Sequence, residues 1–190
     1  MIEAGIGRLL VASLHQAITE VLPTRLEFYE EWLSPRGLRD GRMGLAPLQA
    51  VLSFLRKEGD AYEQVMIRAG ELAAEWWLAE LPGVRRSAVS GGPLWIRGRL
   101  LMGLCQDFVR QTFRDSDVSY AWSQGQGQMT LGHSVFCVTR ESATHVLCGF
   151  YVSALRCLLA AVGLPVTIDV TACRSAGAPA CVLTLVPEAP

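Results

Sequence analysis

The side chains of this 190-residue chain best suited to chemistry are six cysteines and three histidines. The cysteines stand at 105, 137, 148, 157, 173 and 181, among apolar neighbours. Cys173 and Cys181 bound the linker Arg174-Ser-Ala-Gly-Ala-Pro-Ala, which is tight enough for an antiparallel hairpin, and Cys148 opens a helical stretch upstream. Thiolates on a hairpin plus one from a neighbouring helix could hold zinc, which usually takes four ligands. Cys157 lies nine residues beyond Cys148 and so points to the opposite side of that helix. The other thiol chemistry is nucleophilic, and it needs a base. His145 lies three residues before Cys148, but no acid is placed to orient its imidazole. The preferred reading is a helix-end histidine beside a buried thiol, and the chain is expected not to be an enzyme.

Other motifs add little. There is no HExxH, GxSxG, phosphate-binding loop or GxGxxG pattern, and Gly125-Gln-Gly127 reads as a hairpin turn. The chain carries 17 basic and 18 acidic residues for a net charge of −1, which argues against nucleic-acid binding. Hydrophobic residues make up 51% and charged residues 18%, so disorder is excluded for most of the chain. Mean hydropathy is +0.28, yet no uncharged run reaches the roughly 18 residues of a spanning helix. The first residues offer no clear leader-cleavage site, and the cysteines are not spaced like a small secreted scaffold, so a reducing, cytoplasmic setting is expected.

The elements that must position these residues divide the chain in two. The first two-thirds reads helical. Ile6, Leu9, Leu10, Leu14, Ala17, Ile18 and Val21 recur at helical spacing before Pro23, and a short successor capped by Thr24 runs through Trp32. A loop from Ser34 to Gly44 leads to a helix with Pro47 in its first turn and Gly59 at its end. Asp60 opens a strong amphipathic helix with Glu63 completing a capping box. After a loop at 84–92, Pro93 starts another helix, in which Ile96, Leu100, Leu101, Leu104, Cys105 and Phe108 are expected to point inward. Beyond Asp115 the period changes to strands at 118–123 and from Met129, then a helix from about Thr144 to Val162, then strands at 166–172 and 181–186. The second of the final strands is apolar on both faces and reads as interior. The sum is one α+β domain over residues 1–190, with 1–33 as a helical extension or dimerising arm.

Four short runs carry a resemblance. Ser134-Val-Phe-Cys137, Cys148-Gly-Phe-Tyr-Val-Ser-Ala-Leu155, Gly163-Leu-Pro-Val166 and the Cys173 to Cys181 hairpin resemble, in order and spacing, the 4-vinyl reductase domain, best over about residues 130–187. That family shares a superfamily fold with subunits of the TRAPP vesicle-tethering complex and, more distantly, with haem nitric-oxide sensors. The resemblance implies an α/β plait, a twisted antiparallel sheet with helices packed on one side. It implies a small-molecule-binding module that takes up an apolar or aromatic ligand and acts on a partner protein in trans, as a homodimer. A TRAPP-like adaptor without ligand and an accessory factor of tetrapyrrole synthesis are the alternatives.

Some members of that family carry zinc on three cysteines and a glutamate. The cysteines correspond to Cys148, Cys173 and Cys181, but the glutamate position holds Val170, which cannot ligate. The fourth ligand would then be Asp169 after a bulge, His145, or water; without a metal, the three are buried free thiols. Trp95, Trp122, Phe136 and Tyr151 are the candidates to line a ligand cavity. Haem sensors use a proximal histidine and a Tyr-x-Ser-x-Arg motif; Tyr151-Val-Ser153-Ala-Leu-Arg156 is one residue too long, which turns the arginine by about 100° on a helix. The match reads as coincidence and haem is not expected.

Overall fold

The helices form where apolar residues recur on one face, and they end where proline or glycine stops them. The computed structural model describes residues 5–33, 44–81, 93–138 and 146–188. Helix α1 spans Arg8–Val21 and buries Leu10, Leu14, Ala17 and Ile18. Pro23 stops it and starts a 3-10 turn that passes into α2, Leu26–Glu30, without side-chain capping by Thr24. Helix α3, Leu45–Leu55, has Pro47 in its first turn and tightens into a 3-10 turn over Arg56–Glu58. Gly59, at φ +62°, reverses the chain into α4, Asp60–Glu80. Helix α5 covers Leu94–Thr112 and α6 covers Gly149–Ala161.

Strands β1 (Val118–Ser123), β2 (Gln126–Leu131), β3 (Val166–Ala172) and β4 (Cys181–Pro187) form one antiparallel sheet in the order β1-β2-β4-β3. The architecture is α+β, as the change of period along the sequence indicates. The apolar last strand is interior, between β2 and β3. Helix α5 lies against β1 and β2, and α6 lies on α4 and β3. Helix α1 packs on α4, and its buried face belongs to the same core as α6 and the sheet.

Boundaries and one helix face differ from expectation. The β1–β2 turn is confined to Gln124 and Gly125, so β2 begins at Gln126. Helix α6 begins at Gly149, not near Thr144, because Cys148 is its N-cap. Ile96 and Leu100 point outward, at 37% and 47% exposure. Their helix turns the line Gly98, Leu101, Met102, Cys105 and Phe108 inward, since the Trp122 ring lies against Gly98 where any Cβ would collide. The expected loops at 34–43 and 84–92 lie outside the described residues, as does His145. Among the described residues, no helix is long and apolar enough to cross a membrane.

A tight helix contact joins α4 to α6. A Cβ on Gly70 would run into the Ser153 Oγ and the Phe150 carbonyl oxygen, and the Ser153 hydroxyl donates to the Ile67 carbonyl at 2.7 Å. Gly70→Ala is therefore expected to destabilise the protein by about 1–3 kcal/mol through overpacking. Gly103→Ala, where a Cβ would meet only the Tyr120 hydroxyl at 3.5 Å, gains helix propensity and is expected to be neutral or stabilising by up to about 1 kcal/mol. Urea-midpoint shifts of equal sign for the two variants would contradict this account.

Candidate metal centre

Four sulfurs meet at one end of the sheet. The Sγ atoms of Cys137, Cys148, Cys173 and Cys181 all lie within 4.8 Å of one another, and all four residues are buried. Each comes from a different segment. Cys137 ends the 3-10 turn Val135–Cys137 that follows β2. Cys148 caps α6 and accepts the Val152 N–H on its carbonyl at 3.1 Å. Cys173 follows β3, and Cys181 is the first residue of β4.

The hairpin loop is held by short bonds. The Ala176 and Ala178 N–H groups both donate to the Cys173 carbonyl, each at 3.1 Å, and Gly177 takes the left-handed conformation at φ +88°. A register shift between Val170 and Ala172 brings Cys173 to the correct side. Val170 pairs with Leu183, whose face is buried along with that of Cys181. Strict alternation would set Cys173 on the other face. The extra residue of the bulge restores parity and turns it toward Cys181.

The sulfur contacts are 3.5 Å for Cys137–Cys148, 3.6 Å for Cys137–Cys173, 3.6 Å for Cys148–Cys173, 3.8 Å for Cys173–Cys181 and 3.4 Å for Cys137–Cys181. A tetrahedral zinc with Zn–S bonds of about 2.3 Å requires sulfurs about 3.8 Å apart. The donor set is thus four thiols in nearly the arrangement of a closed four-cysteine site. None of the six cysteines is in a disulfide.

The sulfurs divide the protons between them. Bonds to Cys137, Cys173 and Cys181, with burial, push Cys148 far up. Cys137 is raised as well: its bond with Cys148 pulls it down, but its bond with Cys181 and burial outweigh that. Cys173 is held down to about 5 by Cys148, the Ser175 hydroxyl and the Leu147 N–H, against burial. Cys181 is lowered by Cys137 and Cys148, and by the Arg174 N–H at 3.4 Å. Within the cluster, Cys137 and Cys148 are thus raised while Cys173 and Cys181 are lowered.

The three cysteines singled out from the sequence do come together, and Cys137 joins them. The fourth ligand is not Asp169, which is exposed on β3. Cys157 is half-buried outside the cluster, as its helical phase predicts. The four expected cavity residues do not converge. Phe136 and Tyr151 are fully buried, 5.3 Å apart between ring centres, with Phe150 4.8 Å from Phe136. Trp122 packs on Gly98 instead, and Trp95 is a surface residue at 62% exposure. Trp95 thus does not line the interior, because it sits off the buried stripe of α5.

No protein-family model and no curated protein sequence matches the chain. Solved structures do. An H-NOX protein from S. oneidensis in its Fe(II)NO ligation state superposes with a TM-score of 0.62 at 11% identity, covering 97% of this chain and 100% of that one. An unliganded Fe(II) H-NOX protein from K. algicida gives 0.63 at 9% identity, covering 97% of both. An H-NOX domain from Shewanella oneidensis in the Fe(II)CO state gives 0.60 at 12% identity, covering 97% and 99%. At such identities the likeness establishes the fold alone, and that fold is the H-NOX fold. This corrects the resemblance to the 4-vinyl reductase domain and to TRAPP subunits. The motifs behind it are four short runs in the last third of the chain. They describe a thiol-bearing helix beside a hairpin, a local arrangement that leaves the preceding helices undetermined.

The low Cys173 and Cys181 values have a consequence for the metal-free protein. A thiol lowered on folding stabilises fully above its unfolded value of about 8.5, and that stability is lost as pH falls through the folded value, about 5 for Cys173. Cys137 and Cys148 stay protonated over this window, folded or unfolded. With chelator and reductant present, the urea midpoint is expected to rise between about pH 5.5 and 8. A flat or falling midpoint would contradict the lowering of Cys173 and Cys181.

Proposed function

We propose that this chain is a small-molecule-binding sensor domain whose sheet end is locked by a structural zinc ion on Cys137, Cys148, Cys173 and Cys181. The observation that carries the metal is the meeting of four buried sulfurs from four segments. Packing alone has no reason to gather thiols in preference to larger apolar side chains. Closed four-thiolate sites are structural, because no position is left for substrate. Cys148 gains further as a ligand from its place at the N-terminal end of α6, where the helix dipole favours a thiolate.

The sensor reading rests on the fold shared with H-NOX proteins, named for haem-dependent NO and oxygen binding. Among the described residues, no histidine offers that haem a ligand from the core, and His145 lies outside them. Of the described histidines, His15 contacts Glu30 at 3.3 Å in an exposed pair and His133 is exposed; neither enters the core. The Ser153 hydroxyl is taken by Ile67, and Arg156 is exposed. The ligand in this reading is a smaller apolar or aromatic molecule.

Alternating burial along β2 and β4 supports a plait with helices covering one face of the sheet. The output in this reading is on a partner protein, with a second copy of the chain as the simplest one. This reading assigns the four thiols to holding the metal and not to catalysis.

Native mass spectrometry of the purified protein tests both parts: one zinc per chain is expected, together with an organic adduct in some fraction. Cys137→Ser and Cys173→Ser are expected to lose the zinc and several kcal/mol of stability, as for a structural site. A loss near about 1 kcal/mol with no bound metal, typical of an ordinary core change, would refute the zinc.

A further inference from the structure

A divalent ion on four thiolates is a dianion, and here all four ligand residues are at most 7% exposed. A buried dianion needs donors and positive charge around it. The neutral donors are evident: the Ser175 hydroxyl lies 3.0 Å from the Cys173 sulfur, and the Arg174 N–H lies 3.4 Å from that of Cys181.

Two arginines take hold of the two ends of one loop that leads to Cys137. The Arg174 guanidinium donates to the Gly132 carbonyl, where the loop leaves β2. The Arg56 guanidinium donates through Nη2 to the Phe136 carbonyl at 2.8 Å, on the residue before Cys137. Arg56 reaches there from the turn after α3, 80 positions away in sequence. Its Nε is buried with no hydrogen-bond partner. The Tyr62 phenol, pushed up to about 12 by burial, feels both Arg56 and the Cys137 and Cys148 sulfurs, so guanidinium and sulfurs share one neighbourhood.

We infer that Arg56 and Arg174 are positioning residues of the tetrathiolate centre, holding the 132–137 loop so that Cys137 closes the tetrahedron and balancing the two negative charges of the loaded site. The inference rests on the metal reading above. It makes the centre a link between the helices around α3 and the sheet end, with metal occupancy felt at Arg56.

The test uses the full chain loaded with zinc, and separately with iron, comparing wild type with Arg56→Gln, Arg56→Lys and Arg174→Gln. Glutamine keeps a donor for the carbonyl and removes the charge; lysine keeps the charge. Zinc transfer to a chromogenic chelator is expected to be about tenfold faster or more in Arg56→Gln and Arg174→Gln, and close to wild type in Arg56→Lys. The Fe(III)/Fe(II) midpoint of the iron form is expected to fall in both glutamine variants, because losing a nearby cation disfavours the more negative reduced site. Faster transfer with an unmoved midpoint, or glutamine variants equal to wild type, would overturn the inference while leaving the metal centre intact. A wild-type chain that takes up neither metal would instead overturn the metal reading itself. If Arg56→Gln fails to fold, Arg174→Gln and Arg56→Lys decide the same question.

Discussion

The convergence of four sulfurs is the constraint around which the last third of the chain is arranged. It demands that a 3-10 turn, a helix N-terminus and both ends of a hairpin arrive at one point. Several local features answer that demand: the bulge in β3 that resets its parity, the left-handed Gly177, and a helix that starts at Gly149 so that Cys148 can be its cap. Each is a departure from regular geometry, and each moves a thiol to the same place. Irregularities that agree with one another indicate a site better than any one of them does.

The rest of the molecule holds that end against the helices. Aromatic contacts among Phe136, Phe150 and Tyr151 join the 3-10 turn to α6 beside the sulfurs. The Gly70–Ser153 contact then fixes α6 against α4, and α4 carries α1.

Much of this is legible in the sequence. Helical periodicity places α1, α3 and α4 within a few residues, since proline and glycine mark their ends by steric rules that do not depend on tertiary context. The last two strands and their hairpin are equally plain. The errors come from decisions made in three dimensions. Ile96 and Leu100 belong to an apolar run, but the fit of Trp122 against Gly98 decides which side of α5 faces inward. The fourth sulfur escapes sequence reading because Cys137 lies in a turn with no periodicity, spaced from Cys148 by an interval no short metal motif uses. The signal that could find it is present in the run Ser134-Val-Phe-Cys137, where the cysteine reads as part of a resemblance and not as a ligand. The family resemblance itself fails because a local pattern of thiols around a hairpin carries no information on how the helices and the sheet are wound.

Sequence separation along the sulfur cluster sets it apart from the other long-range contacts. Successive cysteines of the cluster are 11, 25 and 8 positions apart, whereas Arg56 meets Phe136 across 80. Closing short loops costs less chain entropy than closing long ones. The thiol-bearing third can therefore assemble early and persist when the N-terminal helices loosen, acting as a cooperative unit of its own within the single core. In slow amide exchange this would emerge as two tiers of protection, with the boundary falling between α5 and the sheet.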